Sequence, residues 1–251
     1  MHHIRISEVD KYKRSVSPYK GIGESEIATF FFGGSGTMMH ETPNNNIIGA
    51  ISDYVLDHSF QNAGLNRRNK LYFVTEQTRL TKDDYLFAVN QEIEDFNAGN
   101  YQHNPKAQEF ASNILAPDFA CDNIVSDTNL ESRRASVDKL KLHLSRINLL
   151  GFCYGTLFIQ ECLLELNRIL AEKGYSDTER TLIKESLSVV NLAPICSLID
   201  SNLHFGQIFF ATEQDSIIKR RIDYGTLGLE TTHDLLHTYS SANSLLLVSH
   251  L

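Results

Sequence analysis

Apolar residues occur along the chain in short runs that end at glycine or at polar turns, and these runs predict buried strands. The first run is EIATFFF at residues 26–32, which stops at the glycine-rich stretch GGSG. Four later runs have the same character: LYFVTE at 71–76, INLLGF at 147–152, LSVVNLAP at 187–194 and GQIFFATE at 206–213. Runs without polar alternation are typical of strands that are buried on both faces.

Two segments between the strands place apolar residues at helical spacing. Residues 45–60 carry isoleucine, valine and leucine at that spacing. A second helix is predicted from about Gly155 to Lys173, with Gly174 as its C-cap. Strands that alternate with helices predict an α/β fold, with a mostly parallel central sheet flanked by helices.

Residues 80–133 interrupt this alternation, because they are rich in Asn, Asp and Gln and have weak periodicity. A structureless loop of this length is uncommon in a compact domain, so the region is interpreted as a partly helical insertion. We expect it to cap one end of the sheet, as a lid would. With 42% hydrophobic residues, the whole chain, 1–251, is expected to form one domain.

The charge of the chain narrows the class of partner. It has 23 Lys and Arg against 31 Asp and Glu, which is a formal net charge of −8. A protein that binds the phosphates of nucleic acid needs clustered Lys and Arg, so this charge argues against such a partner. No stretch of about 18 apolar residues predicts a transmembrane segment. The first twenty residues lack the apolar run of a signal peptide. We expect no nucleic-acid partner, and a location that is cytoplasmic or reached by export without a readable signal peptide.

Cys153 stands out among the four cysteines, because it lies between Gly151 and Gly155 after a predicted strand and before a predicted helix. This order of strand, Gly-x-nucleophile-x-Gly and helix is the nucleophile elbow of the α/β-hydrolase fold. The turn is so tight that the flanking positions must lack side chains, and the helix N-terminus favours a thiolate. The competing interpretation is a buried structural cysteine. Cys162 and Cys196 are assigned to packing.

The spacing of the cysteines excludes two further kinds of site. They show no Cys-x-x-Cys pattern, so neither a zinc site nor a disulfide framework is predicted. We therefore expect no metal and no cofactor.

An acyl-transfer site also needs backbone N–H groups for the oxyanion. The glycine-rich loop after the first strand offers one from Gly34 or Ser35, and Tyr154 offers another directly after the cysteine. A phosphate-cradling loop is a competing interpretation, but the Gly-Lys-Ser/Thr ending and the G-x-G-x-x-G spacing are absent. A plain tight turn is the other alternative.

The acid and the base of such a site should follow the nucleophile in that order. Asp215, after the fifth strand, is the first choice for the acid, with Glu213 beside it and Asp200 after the fourth strand as alternatives. His233 is the first choice for the base. His237, predicted to lie one helical turn later, is its alternative.

These motifs resemble those of α/β-hydrolases, and the chain is similar in particular to phospholipase-like hydrolases among bacterial type VI secretion effectors. FFFGGSGTMMHETPNNNIIGAI resembles the strand, D-G-T turn and Asn-containing stretch that open their core, with Gly34 in place of Asp. GFCYG, from Gly151 to Gly155, matches their G-F-S-R-G elbow with cysteine for serine. Thr232-His233-Asp234 loosely resembles their G-x-H-x-D-x-G-G segment, although the following glycines are missing, and NLAPICSLID lacks their D-T-V acid segment.

Together, the residues and the resemblance predict a hydrolase or acyltransferase of the esterase, lipase or thioesterase type. Cys153 would be the nucleophile, His233 the base and Asp215 the orienting acid, acting on a small-molecule or lipid acyl substrate. The alternative hypothesis is a catalytically inactive hydrolase-fold scaffold, such as a secreted bacterial effector, that binds a protein partner or a ligand. The missing acid segment and the altered histidine segment motivate this alternative.

Overall fold

The computed structural model of the protein describes residues 3–10, 15–23, 26–38, 68–78, 80–101, 103–195, 207–212, 237–238 and 245–249. Its strands form one nine-stranded sheet. They are β1 (His3–Asp10), β2 (Ser15–Pro18), β3 (Glu26–Phe32), β4 (Arg68–Gln77), β5 (Ile147–Phe152), β6 (Ser188–Leu192), β7 (Gln207–Thr212), β8 (His237–Thr238) and β9 (Leu245–Ser249).

The helices of the described ranges lie between these strands in the chain. They are α1 (Ser35–Met38), α2 (Lys82–Asn97), α3 (Pro105–Phe110), α4 (Leu130–Leu144), α5 (Tyr154–Glu172) and α6 (Asp177–Lys184). A π-helical segment, Ala111–Leu115, continues α3.

The centre of the sheet is parallel and its two ends are antiparallel. The strand order is β2-β1-β4-β3-β5-β6-β7-β9-β8, which places β5 in the middle. The strands from β4 to β7 in that order are parallel to one another. The pairs β1–β4, β1–β2, β7–β9 and β9–β8 are antiparallel. The predicted α/β architecture with a parallel centre and flanking helices is confirmed, and the sheet as a whole is mixed.

The five predicted strands are all present, as β3 to β7. The predicted helix after the cysteine is α5, and Gly174 follows it with a φ of 92°. Its N–H donates to the carbonyl of Ala171 at 3.0 Å, which ends the helix as the glycine signal predicts. The predicted helix over 45–60 lies outside the described residues.

The main core fills one face of the sheet. On β3, Phe30 and Phe32 meet the ring of Phe110 from α3, with centroids 5.3 and 5.1 Å apart. Phe32 also approaches Phe158 of α5 at 5.6 Å. Most residues of α5 are buried. Because burying one large apolar side chain contributes about 1.5–3 kcal/mol to stability, the packing of α5 contributes strongly to the stability of this core.

Residues 80–133, predicted as a partly helical insertion, contain the helices α2 and α3, which pack against the core. The buried side chains of α2 recur at helical spacing and are Tyr85, Val89, Ile93 and Phe96. They join the same apolar cluster as the strands and α5. Thr81 and Asn104 accept N–H groups at the N-termini of α2 and α3, which fixes where these helices begin.

Candidate functional site

Cys153 occupies the turn between β5 and α5 in a strained conformation. Its φ of 53° and ψ of −116° lie in a region that side-chain-bearing residues rarely adopt. The Cys153 N–H donates to Leu192 at 2.9 Å, and its carbonyl accepts the Thr156 N–H at 3.0 Å and the Thr156 hydroxyl at 2.6 Å. These bonds hold the turn to β6 and to the helix, and they leave the side chain partly exposed at the sheet edge.

The two glycines around Cys153 are required by close packing. A Cβ at Gly155 would lie 2.0 Å from the carbonyl oxygen of Phe32, a distance that real Cβ atoms do not show. A Cβ at Gly151 would lie 2.9 Å from Ile159 and 3.1 Å from the backbone of Gly155. The absence of both side chains therefore lets α5 begin directly against the ends of β3 and β5.

The glycine-rich loop after β3 packs against Cys153. A Cβ at Gly34 would be in ordinary contact, 3.6 Å from the Cβ of Cys153 and 3.6 Å from the ring of Phe152. The Gly34 carbonyl accepts the Met38 N–H at 2.9 Å, and Ser35 begins the short helix α1. The structure thus brings Gly34 beside Cys153, while Tyr154 follows Cys153 as the first residue of α5.

A second strained residue lies at the end of the neighbouring strand. Ala193, directly after β6, has a φ of 49°, and it and Cys153 are the non-glycine residues with positive φ in the described ranges. The Thr156 hydroxyl, bonded to the Cys153 carbonyl, also accepts the Ile195 N–H at 3.3 Å. Strained backbone concentrates at functional sites, and here two adjacent strand ends carry it. No residue pattern around Ala193 indicates this strain.

Most of the predicted acid and base residues lie outside the described residues. These are Asp215, Glu213 and Asp200 for the acid and His233 for the base, and Cys196 also lies outside. β7 ends at Thr212, directly before Glu213, at the same edge as β5 and β6 because these strands are parallel. His237 lies in the strand β8, not on a helical turn. β8 is four strand positions from β5, roughly 19 Å at about 4.8 Å per position, so the structure does not bring the His237 backbone next to Cys153.

A group of buried glutamates behind the turn was missed by the sequence reasoning. The Tyr154 hydroxyl lies 3.1 Å from Oε1 of Glu76 and 2.7 Å from Oε2 of Glu92. The Asn104 amide donates to Glu92 at 2.9 Å and to Glu161 at 2.7 Å. We call Glu76, Glu92 and Glu161 the carboxylate cluster.

The carboxylate cluster has three carboxyl groups, and the ammonium group of Lys106 beside it can balance the charge of one of them. Lys106 pairs with Glu76. Burial raises the pKa of Glu161 well above its ordinary value, and the charge and hydrogen bond of Glu92 raise it further. Burial also raises the pKa of Glu92, while the Tyr154 hydroxyl opposes this shift. Burial and the neighbouring carboxyl group of Glu92 therefore both favour the neutral form of Glu161 over its charged form.

The described ranges contain neither a candidate metal site nor a candidate membrane span. No group of three or more His, Cys, Asp or Glu side chains there could hold a metal ion. No helix in those ranges is both long enough and apolar enough to cross a membrane.

Comparisons of the chain with protein-family models, with curated proteins and with solved structures find no match. The resemblance to α/β-hydrolases therefore stays a prediction from motifs. A functional assignment depends on the geometry around Cys153.

Proposed function

We propose that this protein is a hydrolase or acyltransferase of the α/β-hydrolase type, acting on an ester or thioester through Cys153. One observation carries the proposal: Cys153 combines left-handed strain, partial exposure and a place between the middle strand and the 19-residue helix α5. The positive end of a helix dipole favours a thiolate there. A structural cysteine in the same turn would need neither the strain nor the exposure.

In the proposed mechanism, His233 takes the thiol proton and the Cys153 sulfur attacks the carbonyl carbon of the substrate. Backbone N–H groups of Tyr154 and of Gly34 or Ser35 hold the resulting oxyanion. The intermediate collapses, the leaving alcohol or thiol takes the proton from His233, and the acyl group stays on sulfur. Water or another acceptor, deprotonated by His233, then releases it, while Asp215 orients the imidazole.

The surface beside Cys153 supports an acyl substrate. Phe152, directly before the cysteine, is 45% exposed and contacts the Gly34 loop, so an apolar surface adjoins the thiol. Such a surface suits an acyl chain better than a charged group. In the proposal the whole chain forms one hydrolase domain, and the helices of residues 80–133 act as its cap.

Selective alkylation tests the proposal. With substoichiometric iodoacetamide at about pH 7, we expect Cys153 to be labelled first, because a thiolate is the reactive form. Burial raises the pKa of the thiols of Cys121 and Cys162, so these should react slowly. Peptide mass spectrometry of the folded protein gives the order of labelling, and His233→Ala should slow the labelling of Cys153.

The same alkylation should abolish hydrolysis of short acyl esters or thioesters. Cys153→Ala should lose this hydrolysis and Cys162→Ala should retain it. Labelling of Cys153 at the rate of the buried cysteines, with no hydrolysis of any acyl ester or thioester, would overturn the proposal in favour of the inactive scaffold.

A further inference from the structure

The carboxylate cluster forms part of the wall of a cavity of about 520 Å³. The cavity lies between the end of β4, helix α2 and the segment that leads into α3, and Tyr154 and Glu161 of α5 also line it. This volume is in the range of small-molecule sites. The chemistry of the lining therefore indicates which molecules it can accept.

The ionisable groups of the lining are predominantly acidic. Four carboxyl groups line the cavity, from Glu76, Glu92, Asp95 and Glu161, against the single ammonium group of Lys106. His103 also lines the cavity, but its Nδ1 lies 2.6 Å from Glu165. Lys106 pairs with Glu76 and its charge also reaches Glu92, but neither Glu92 nor Glu161 forms an ion pair within the described part of the chain. Buried carboxyl groups favour a cation that can pair with them.

Tyr85 adds a polar group that has no partner. Its side chain is 3% exposed and lines the cavity, and its hydroxyl makes no hydrogen bond within the described part of the chain. Glu76 and Glu92 both lie near enough to raise the pKa of this hydroxyl, after burial as the larger cause. Buried hydroxyl groups are normally satisfied, so an unbonded one beside two carboxyl groups indicates a missing partner.

Aromatic rings supply the rest of a cation site. Phe96 and Tyr101 line the cavity with ring centroids 6.0 Å apart, and the rings of Tyr85 and Tyr154 lie near the carboxyl groups. Ring faces attract an organic cation and exclude water from its alkyl part.

We propose that this cavity binds a small primary amine, as its ammonium ion, with the nitrogen against the carboxyl groups of Glu92 and Glu161 and the hydroxyl of Tyr85. A primary ammonium group has three N–H donors, one for each of these groups. Asn104 keeps its amide turned toward both carboxyl groups, because its Oδ1 accepts the N–H groups of Lys106 and Ala107. The site does not depend on the chemistry proposed for Cys153.

Binding of the amine is expected to favour the charged forms of Glu92 and Glu161. A positive charge beside two carboxyl groups stabilises both as carboxylates, and so opposes the rise in their pKa values that burial causes. The other ionisable groups that face this pair are Tyr101 from the loop before α3, Glu76 of β4, Tyr85 of α2, Lys106 of α3 and Tyr154 of α5. Amine binding is therefore expected to be coupled to the release of protons to the buffer.

Calorimetric titration of the full chain tests the proposal with n-butylamine and 1,4-diaminobutane. Binding is expected for both amines, and not for the isosteric n-butanol or for butyrate. Tetramethylammonium, which lacks N–H donors, should bind more weakly. Repeating the titration in buffers of different ionisation enthalpy measures the release of protons.

Two variants and a matched control assign the site. Glu92→Gln should weaken amine binding on the order of tenfold or more, and Tyr85→Phe by a few fold, because each removes one hydrogen-bond acceptor of the ammonium group. Glu94→Gln makes the same change at an exposed position of α2 outside the cavity and should leave binding unchanged. Tyr85→Phe removes only an unbonded hydroxyl, so a folding defect cannot explain its effect.

No detectable binding of either amine at millimolar concentration would overturn the proposal. Equal binding of n-butanol and n-butylamine would do the same, as would amine binding that Glu92→Gln and Tyr85→Phe both leave intact.

Discussion

At the scale of single residues, Gly155 has the tightest steric requirement among the glycines around Cys153. We expect Gly155→Ala to lower the free energy of unfolding by about 2–4 kcal/mol or to prevent folding, because the new Cβ overlaps the Phe32 carbonyl. Chemical denaturation followed by circular dichroism measures the loss. Gly34→Ala is the matched control: its Cβ meets only ordinary contacts at 3.6 Å, so it should cost less than about 1 kcal/mol. Equal stability of both variants would contradict the packing described for α5.

The turn around Cys153 can be predicted from the sequence, whereas the carboxylate cluster cannot. The glycines on either side of Cys153 are required by a local steric constraint, and the five consecutive positions from Gly151 to Gly155 show it in the sequence. Glu76, Glu92 and Glu161 lie on three separate elements, and each resembles a surface glutamate in its own segment. Only the packing of β4, α2 and α5 brings them together, so no local pattern could reveal them.

At the scale of elements, the N-cap of α3 also serves the carboxylate cluster. We expect Asn104→Asp to keep the cap but to add a carboxylate to the cluster, which lowers stability near pH 7 by about 2 kcal/mol or more. The pKa of the new carboxyl should be raised, so the loss should diminish as the pH falls toward about 5. Urea denaturation at the two pH values measures this.

Asn129 provides the control for that substitution. It caps α4 with the same bonds, accepting the N–H groups of Glu131 and Ser132, but it is exposed. Asn129→Asp should change stability by less than about 0.5 kcal/mol, because Asp is an equally good N-cap and favours the helix dipole. A similar loss in both variants would show that the cap alone explains the effect of Asn104→Asp.

The strands that the sequence did not predict are those of the sheet ends. β1 alternates Ile4 and Ile6 with polar residues, the pattern of a strand with one covered face, so a signal was present. β8 has two residues, too few for any periodicity. Strand order was also out of reach, because it depends on where each connection crosses the sheet.

At the scale of the whole molecule, the carboxylate cluster should make stability depend on pH. The pKa values of Glu92 and Glu161 are raised by folding, so the native state binds more protons than the unfolded chain above about pH 4.5. Their contribution is present at low pH and is lost as the pH rises through the folded pKa values. Each proton contributes a slope of up to about 1.4 kcal/mol per pH unit.

Glu161→Gln mimics the protonated side chain, so the free energy of unfolding of this variant should fall less as the pH rises. Glu94→Gln, the exposed control on α2, should follow the wild-type profile. Urea midpoints at about pH 6, 7 and 8 distinguish the two variants. A wild-type midpoint that rises with pH across this range would contradict the raised pKa of Glu161.

The outermost strands of the sheet are short, and this bears on how the protein behaves in a crowded solution. β2 has four residues and ends at Pro18, which has no N–H to offer a further strand, and β8 has two. Short edge strands and an edge proline oppose the addition of strands from other molecules. These ends therefore protect the apolar parallel strands of the interior from joining an aggregate.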